Sequence, residues 1–420
     1  MNQEGGRDYL SQPTGYLFSK FTLFVLLAFL LLAAWFSQIA IVVLLGLILS
    51  TAGVSLLWSR LSLTRVDCRR TISEPRVFPG EEIELTLRLV NRKLLPLPWV
   101  QLDDQIPEPI APPDVSLEPA DRPGCRILTQ TASLPWYSGL TWRSRLLCRK
   151  RGYYKLGPLT VRSGDIFGLY PRSAVHYITD HVIVYPKLYP IARMEIPSLY
   201  PMGETQAERR IFEDPTRTIG VRDYSPADSL RHVHWKASAR HQQLKVKIFE
   251  PTTTLTLAIF LAVDTFRDDA GAGRDDDFEL GVSAAASVAN YVIQQRSPAG
   301  IFANTRLVDS SEPVRVLPGS GLRQLANILE ALARVNVVPS MPFSEFLRDN
   351  WGALPWGTTI ILVISRPPHD LPPLLARIKA GGYKTLVIQI GDGEKAYAEQ
   401  ASAWYTIKSP EDLNELRGNR

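Results

Sequence analysis

The sequence predicts an α+β multidomain protein: an N-terminal two-helix transmembrane hairpin, an antiparallel β-sandwich and a C-terminal doubly wound α/β domain. Three observations carry that expectation. Phe21 to Trp58 is almost free of polar side chains, residues 61–184 read as short strands broken by proline, and from Leu255 onward strand-like apolar runs alternate with helical spacing. A chain of 420 residues has room for two or three domains, and 45% apolar with 21% charged residues is the balance of a folded protein.

The apolar run is nearly twice what a hydrocarbon core of ~30 Å accepts at about 1.5 Å per residue. Two spans, Leu17–Phe36 and Ile39–Trp58, joined at Ser37–Gln38 therefore fit better than one. A cleaved signal peptide is disfavoured because a second span follows directly where a small-residue cleavage site belongs. Arg7 and Lys20 flank the start of the hairpin, its turn carries no basic residue, and Arg60, Arg65, Arg69 and Arg70 flank its end. Basic flanks stay inside, so a multi-pass protein of the inner (cytoplasmic) membrane is expected, in contact with the lipid bilayer, with both termini and the soluble domains cytoplasmic. Cys68, Cys125 and Cys148 form no CxxC pair and are expected to be buried thiols in a reducing compartment.

Behind the hairpin, "EIELTLRLV" (Glu82–Val90) alternates with period two, as a half-buried strand does. "LLPLPWVQLDDQIPEPIAPP" (Leu94–Pro113) is rich in proline and is expected to be loop or edge, since proline cannot donate to a ladder. "ILTQTASLPWY" and "LTWRSRLLCRK" read as further strands, with turns at Gly80, Gly139 and Gly152. No helix-length periodicity intervenes, which gives a sandwich of roughly seven or eight strands.

From Leu255 the texture changes. "LTLAIFLAV" is the continuous apolar run of a strand covered on both faces. "FELGVSAAASVANYVIQQR", "SGLRQLANILEALARV" and "DLPPLLARIKAGG" have helical spacing, and "AGIFANTRLV", "TTIILVIS" and "KTLVIQI" read as strands. Such alternation predicts a mostly parallel, doubly wound sheet. The expected divisions are a tail over 1–16, the hairpin over 17–60, the sandwich over 61–184, a connecting segment over 185–251 and the α/β domain over 252–420.

The search for chemistry narrows the function. There is neither GxxxxGK[ST] nor GxGxxG after the first α/β strand, and "PGSG" (Pro318–Gly321) reads as an ordinary turn and cap. A von Willebrand factor A-like domain has this order of strands and helices, and its first strand ends in DxSxS, whose oxygens hold a divalent ion. Here the strand ends Asp264, Thr265, Phe266, Arg267, Asp268, so Phe266 replaces a hydroxyl and Arg267 adds positive charge. The site at Asp264, Phe266 and Asp268 is degenerate, and neither metal nor cofactor is expected. Asp275, Asp276 and Asp277 read as a solvated helix N-terminus. No GxSxG occurs. His232 and His234, placed on a strand, would face one way and suit zinc, but no third ligand is evident, so they are taken as structural.

Between the two soluble domains stands "GVRDYSPADSLRHVHWKASARHQQLKVKIFE", Gly220–Glu250. It resembles the signature of domain-of-unknown-function family fifty-eight (DUF58), whose core is approximately R-x-Y-x-P-G-D-x-x-R-x-I-x-W-x-x-x-A-R. Arg222, Tyr224, Pro226, Asp228, Arg231, Trp235, Ala239 and Arg240 stand at matching positions, His234 and Lys236 flank the tryptophan within the same stretch, and Ala227 replaces the usual glycine. "RGYYKLGPLTVRSGDIFGLY" (Arg151–Tyr170) resembles the family's lead-in. The resemblance implies the layout predicted above, a genomic neighbourhood with MoxR-type AAA+ ATPases and membrane-bound transglutaminase-like proteins as partners, and no established enzymatic activity.

The residues themselves suggest a turn and short helix at "SPADSL" capped by Ser225 or Asp228, with Asp228 pairing to Arg222, Arg231 or Arg240. Trp235 is expected to close a seam between the domains, and "LKVKIFE" to form a strand. Nine Lys or Arg against six Asp or Glu over 208–250 suit ion pairing better than a phosphate backbone, so no nucleic acid is expected. The leading expectation is a non-enzymatic scaffold or interaction protein anchored in the membrane. The competing one is a membrane-associated hydrolase using His234 and Asp228 as acid and base.

Overall fold

In the computed structural model the described residues are 7–11, 20–112, 117–120, 122–178, 180–194, 213–225, 233–251, 256–267, 275–355, 357–391 and 397–416. Mixed α and β structure is arranged in two compact units, Met1–Lys187 with Leu332–Arg334, and Leu188–Ala331 with Val335–Arg420.

In the first unit, β1 (Arg7–Ser11) is followed by α1 (Lys20–Trp35) and α2 (Ile39–Ser62). The turn falls where expected, with Ser37 in the left-handed region at φ 55°. At about 1.5 Å per residue the 24 residues of α2 extend roughly 36 Å, beyond a ~30 Å hydrocarbon core. The 16 residues of α1 extend only about 24 Å. Thus α2 is long and apolar enough to cross a membrane, whereas α1 is a shorter apolar helix and residues 12–19 of the expected first span lie outside the described ones. Ala52, Ser55, Ser59 and Ser62 are the buried positions of α2. They recur at helical spacing on one face, and their small side chains let neighbouring backbone approach.

The strands that follow are β2 (Val66–Ile72), β3 (Arg76–Val77), β4 (Glu82–Asn91), β5 (Leu97–Pro107), β6 (Glu118–Pro119) and β7 (Cys125–Leu134). Then come β8 (Gly139–Leu147), β9 (Gly152–Leu156), β10 (Leu159–Ser163), β11 (Arg172–His176) and β12 (Asp180–Val184). They form sheets in the orders β2-β4-β8, β1-β11-β10-β5-β7-β6 and β3-β12-β9. The eleven strands β2 to β12 exceed the seven or eight expected, because two-residue strands such as β3 and β6 carry no alternation to read. In β4, Ile83, Leu85, Leu87 and Leu89 point inward at period two. Leu87 and Leu89 share a core with Leu97 and Leu102 of β5 and Leu159 of β10, whereas Ile83 and Leu85 pack with Ile106 of β5, Leu146 of β8 and Val182 of β12.

The loop-or-edge expectation for Leu94–Pro113 is corrected here. Its first half is β5, an interior strand paired on one side with β10 and on the other with β7. The prolines sit where the ladder tolerates them: Pro98 lies at the register shift between Leu97 and Val100, and Pro107 is the last residue. Beside β5, Arg70 of β2 is fully buried and donates to Asp104 Oδ1 at 2.7 Å, Asp180 Oδ2 at 2.7 Å, Leu156 O at 3.1 Å and Ile178 O at 2.6 Å. Burial pushes the Asp104 carboxyl up to about 6 against the pull of Arg70. Cys68, Cys125 and Cys148 are free and buried, as expected, and burial pushes the Cys68 thiol up to about 12 and the Cys148 thiol to about 11. Such thiols stay protonated and unreactive at neutral pH.

The second unit holds β13 (Arg193–Met194), β14 (Glu213–Asp223), α3 (Trp235–His241), β15 (Lys245–Pro251), β16 (Leu257–Leu261) and α4 (Asp275–Gln294). After these come β17 (Ala299–Leu307), β18 (Pro313–Gly319), α5 (Leu322–Ala333), β19 (Val335–Pro339), α6 (Phe343–Trp351) and β20 (Thr359–Ile364). Last are α7 (Leu371–Ala380), β21 (Lys384–Ile390), β22 (Ala403–Ile407) and β23 (Glu415–Leu416). The main sheet runs β18-β17-β16-β20-β21-β22, with β17 to β22 along this path mutually parallel, β18 antiparallel at the edge and β19 also pairing β17. Every residue of β16 and β20 is buried, which explains their unbroken apolar runs. Gly281 of α4 is required by close approach, since a Cβ there would stand 2.6 Å from the Phe266 ring.

Candidate functional site

Among the described residues, the motifs read in the sequence fall at two places: the C-terminal end of β16 and the ribbon formed by β14 and β15. At the first, the chain leaves β16 through a short 3-10 turn, Val263–Phe266, which presents Asp264. Fully buried Asn304 of β17 organises it. Its Oδ1 accepts from Val263 N at 2.7 Å, and its Nδ2 donates to Asp264 Oδ1 at 2.9 Å and to Met341 O at 3.0 Å. Asp264 Oδ2 accepts the Phe343 N–H at 2.8 Å. Phe343 opens α6, whose preceding Pro342 has no side-chain cap to offer, so the Asp264 carboxylate does that work at the positive end of the helix. Thr265 is engaged as well, donating to Ala262 O at 2.7 Å and accepting from Ser365 N at 3.0 Å.

These residues do not fit a divalent ion. Both oxygens of Asp264 are committed within the fold, and Phe266 is buried, edge-on to Phe278 with ring centroids 5.6 Å apart. Asp268 lies outside the described residues. Among the described residues no group of three or more His, Cys, Asp or Glu converges as metal ligands do. The cluster ties the strand end to a helix.

At the second place, β14 and β15 pair antiparallel, with Asp223 opposite Lys245 and an ion pair between their side chains. α3 is carried on this ribbon. His234 caps it, with Nδ1 accepting from Ala237 N at 3.1 Å, so the neutral ring carries its proton on Nε2. The backbone of His234 donates to Lys245 O at 2.8 Å. Ser238, buried on α3, donates to His234 O at 3.1 Å and accepts from Lys245 N at 2.9 Å. Val233 and Val246, both buried, form a bridge beneath. The inner side of α3 is thus fixed, while Trp235, Lys236, Ala239 and Arg240 are exposed.

Placement of the expected residues follows from this geometry. Arg222 is exposed on β14 and donates to Asp223 O at 3.2 Å, and Tyr224 is half-buried just beyond it. Pro226, Asp228, Arg231 and His232 lie outside the described residues, so the expected cap and ion pairs of Asp228 fall there too. "LKVKIFE" forms β15 as expected. Trp235 is 68% exposed at the first position of α3, where Ser238 and the His234 cap take the inward positions. His234 precedes a helix and is not on a strand, and its Nδ1 is occupied by capping, so the two-histidine zinc arrangement is not formed at His234. Asn304 went unnoticed in the sequence, although a lone amide inside "AGIFANTRLV" was the available signal.

A family model described as "Protein of unknown function DUF58" matches residues 220–348, which begin within this ribbon and run through α6 almost to its end. The chain is similar to the uncharacterized protein YeaD of Bacillus subtilis (strain 168), 25% identical over 361 residues that cover 85% of this chain and 84% of that one. Among solved structures, proximal thread matrix protein 1 from the mussel byssus is matched at 16% identity and TM-score 0.28, covering 38% of this chain and 44% of that one. The sporulation control protein Spo0M of Bacillus subtilis is matched at 11% identity and TM-score 0.18, over 29% of this chain and 50% of that one. The chain thus spans half or less of each of these two structures.

Proposed function

We propose that the protein is a non-enzymatic scaffold anchored in the bacterial inner membrane, which presents the α3 ribbon to a protein partner. In this reading α1 and α2 form a two-span hairpin, the first unit carries a β-sandwich on the cytoplasmic side, and the second is a von Willebrand factor A-like domain whose metal position has become structural. The sheet order with its antiparallel edge strand supports that last point, as does the commitment of Asp264 to α6.

The observation that carries the docking role is Trp235. A large aromatic side chain, 68% exposed beside Lys236 and Arg240 on a helix pinned from within, has the composition of an interface anchor. A MoxR-type AAA+ ATPase is the partner that the family resemblance implies, with a transglutaminase-like membrane protein second. The hydrolase alternative has less support, because His234 uses Nδ1 to cap α3.

A photo-crosslinking side chain at position 235 of the full chain, expressed in its native membranes, tests the reading. An adduct with an ATPase subunit, lost when Lys236→Glu and Arg240→Glu are added while membrane levels hold, is the expected result. Absence of any protein adduct, together with a sharp fall in thermal stability for Trp235→Ala, would return Trp235 to a structural role.

A further inference from the structure

We infer that three loops of the first unit form an interfacial foot that sits in the headgroup layer of the bilayer which α2 crosses. The inference rests on reading α2 as a membrane span. Five large side chains in these loops, Leu94, Trp136, Tyr137, Ile166 and Phe167, are each between 59% and 72% exposed. Scattered singly they would need no explanation, but the backbone gathers them at one end of the unit.

Lys93, next to Leu94, is nearly buried and donates to Leu61 O at 2.7 Å, to Thr64 O at 2.9 Å and to Ser62 O, the carbonyls at the end of α2. Tyr137 N donates to Lys93 O at 3.2 Å, which brings the Trp136–Tyr137 loop to the same point. On the buried face of α2, Ser59 Oγ donates to Tyr170 O at 2.6 Å. Tyr170 N and Phe167 N both donate to the Asp165 carboxylate, at 2.9 Å and 3.1 Å, so the Ile166–Phe167 loop is locked beside that contact. All three loops therefore stand at the level of residues 59–64.

That level is fixed by length. Counting from Ile39, a ~30 Å core takes about 20 residues of helix, which ends it near Trp58. Ser59 and the loops bound to this end of α2 then lie at the boundary between hydrocarbon and headgroups. Tyr and Trp favour that boundary because their rings are apolar and their tips polar. Leu57 and Leu61 are exposed on α2 at the same depth. The charge agrees: Arg60, Arg65 and Arg92 surround this end, Arg92 N donating to Arg65 O at 3.0 Å, and Arg172 donating to Arg60 O at 2.7 Å. Basic groups a few ångströms above an apolar fringe match anionic lipid headgroups. A protein surface would have no reason to lie at this depth.

The full chain, reconstituted at high dilution in vesicles of phosphatidylethanolamine and phosphatidylglycerol, tests this with nitroxide labels at Tyr137→Cys and Phe167→Cys. Glu74→Cys, exposed on the turn after β2, serves as the water reference and Val43→Cys, exposed in the second turn of α2 and so within the hydrocarbon span counted from Ile39, as the bilayer reference. The unsubstituted chain, whose cysteines are buried, is the labelling blank. The expected result is a ratio of oxygen to nickel-chelate collision at positions 137 and 167 several-fold above that at Glu74 and below that at Val43. Water-like ratios at 137 and 167 with a bilayer-like ratio at 43 would overturn the foot while leaving the span intact. Labels at 137 and 167 shielded from both probes would overturn it in favour of contact with a second copy. A water-like ratio at 43 would overturn the span itself, and the foot with it.

Discussion

At the scale of single residues, Asp264 links two elements far apart in sequence, taking the amide of Asn304 on one oxygen and the first N–H of α6 on the other. Removing the carboxylate strands both donors, at a cost of about 1–3 kcal/mol for each buried group left unpaired. Asp264→Ala should therefore lower the melting midpoint of the soluble part clearly, and Asp264→Asn by less, since its oxygen still accepts one bond. Because the carboxylate is already engaged, millimolar Mg²⁺ should leave the wild-type midpoint unchanged; a ligand held by the folded state would raise it. A rise of several degrees that vanishes in Asp264→Ala would show that residues 268–274 complete a metal site. Asp264 itself was legible, as a carboxylate ending an apolar strand. Its partner was not, because Asn304 is 40 residues away and only the parallel pairing of β16 with β17 brings them together. Which side of α3 faces the ribbon was not legible for a related reason: only the inward-facing Ser238 and His234 show which side is taken, leaving Trp235 on the other.

At the scale of elements, the end of α2 is closed by Lys93, from the turn between β4 and β5. Burial pulls its ammonium down to about 8, so it remains charged at neutral pH while it donates to α2 carbonyls. Replacing it with methionine keeps the length and removes the donor. Lys93→Met should cost about 1–3 kcal/mol, read as a lower unfolding midpoint of the detergent-solubilised chain. Lys93→Arg should recover part of the loss, and an unchanged midpoint in Lys93→Met would show that water satisfies these carbonyls. The helices and buried strands of the second unit were legible because their apolar runs are long and their periods distinct. β5 was not, because proline counts say where a ladder is interrupted and not which residues between the interruptions pair. Likewise β18 and β19 are short and partly exposed, so their side chains carry little period-two signal.

For the whole molecule, the proposed two-span hairpin, with Lys and Arg at both of its ends and none in its turn, would put both of its flanks on the cytoplasmic side. A fluorescent reporter fused after Arg420 should therefore be active, and alkaline phosphatase at the same point should be silent. The reverse pattern would invert the topology. The change of periodicity near Leu255 was visible in the sequence, but the order of strands within each sheet was not, since it depends on pairings between residues far apart along the chain. Arg70 has a consequence for how the first unit is made. Its guanidinium spans three sheets, bonded to Asp104 on β5, to the end of β9 and to Asp180 on β12, and none of these groups can be buried with it until the last has been synthesised. A buried arginine lacking its partners is strongly destabilising. The bonding of Arg70 is then complete only once residue 180 has been synthesised, long after α2. On the reading of α2 as a membrane span, insertion into the bilayer can thus run ahead of folding, with the core of the first unit closing behind an anchor already in place.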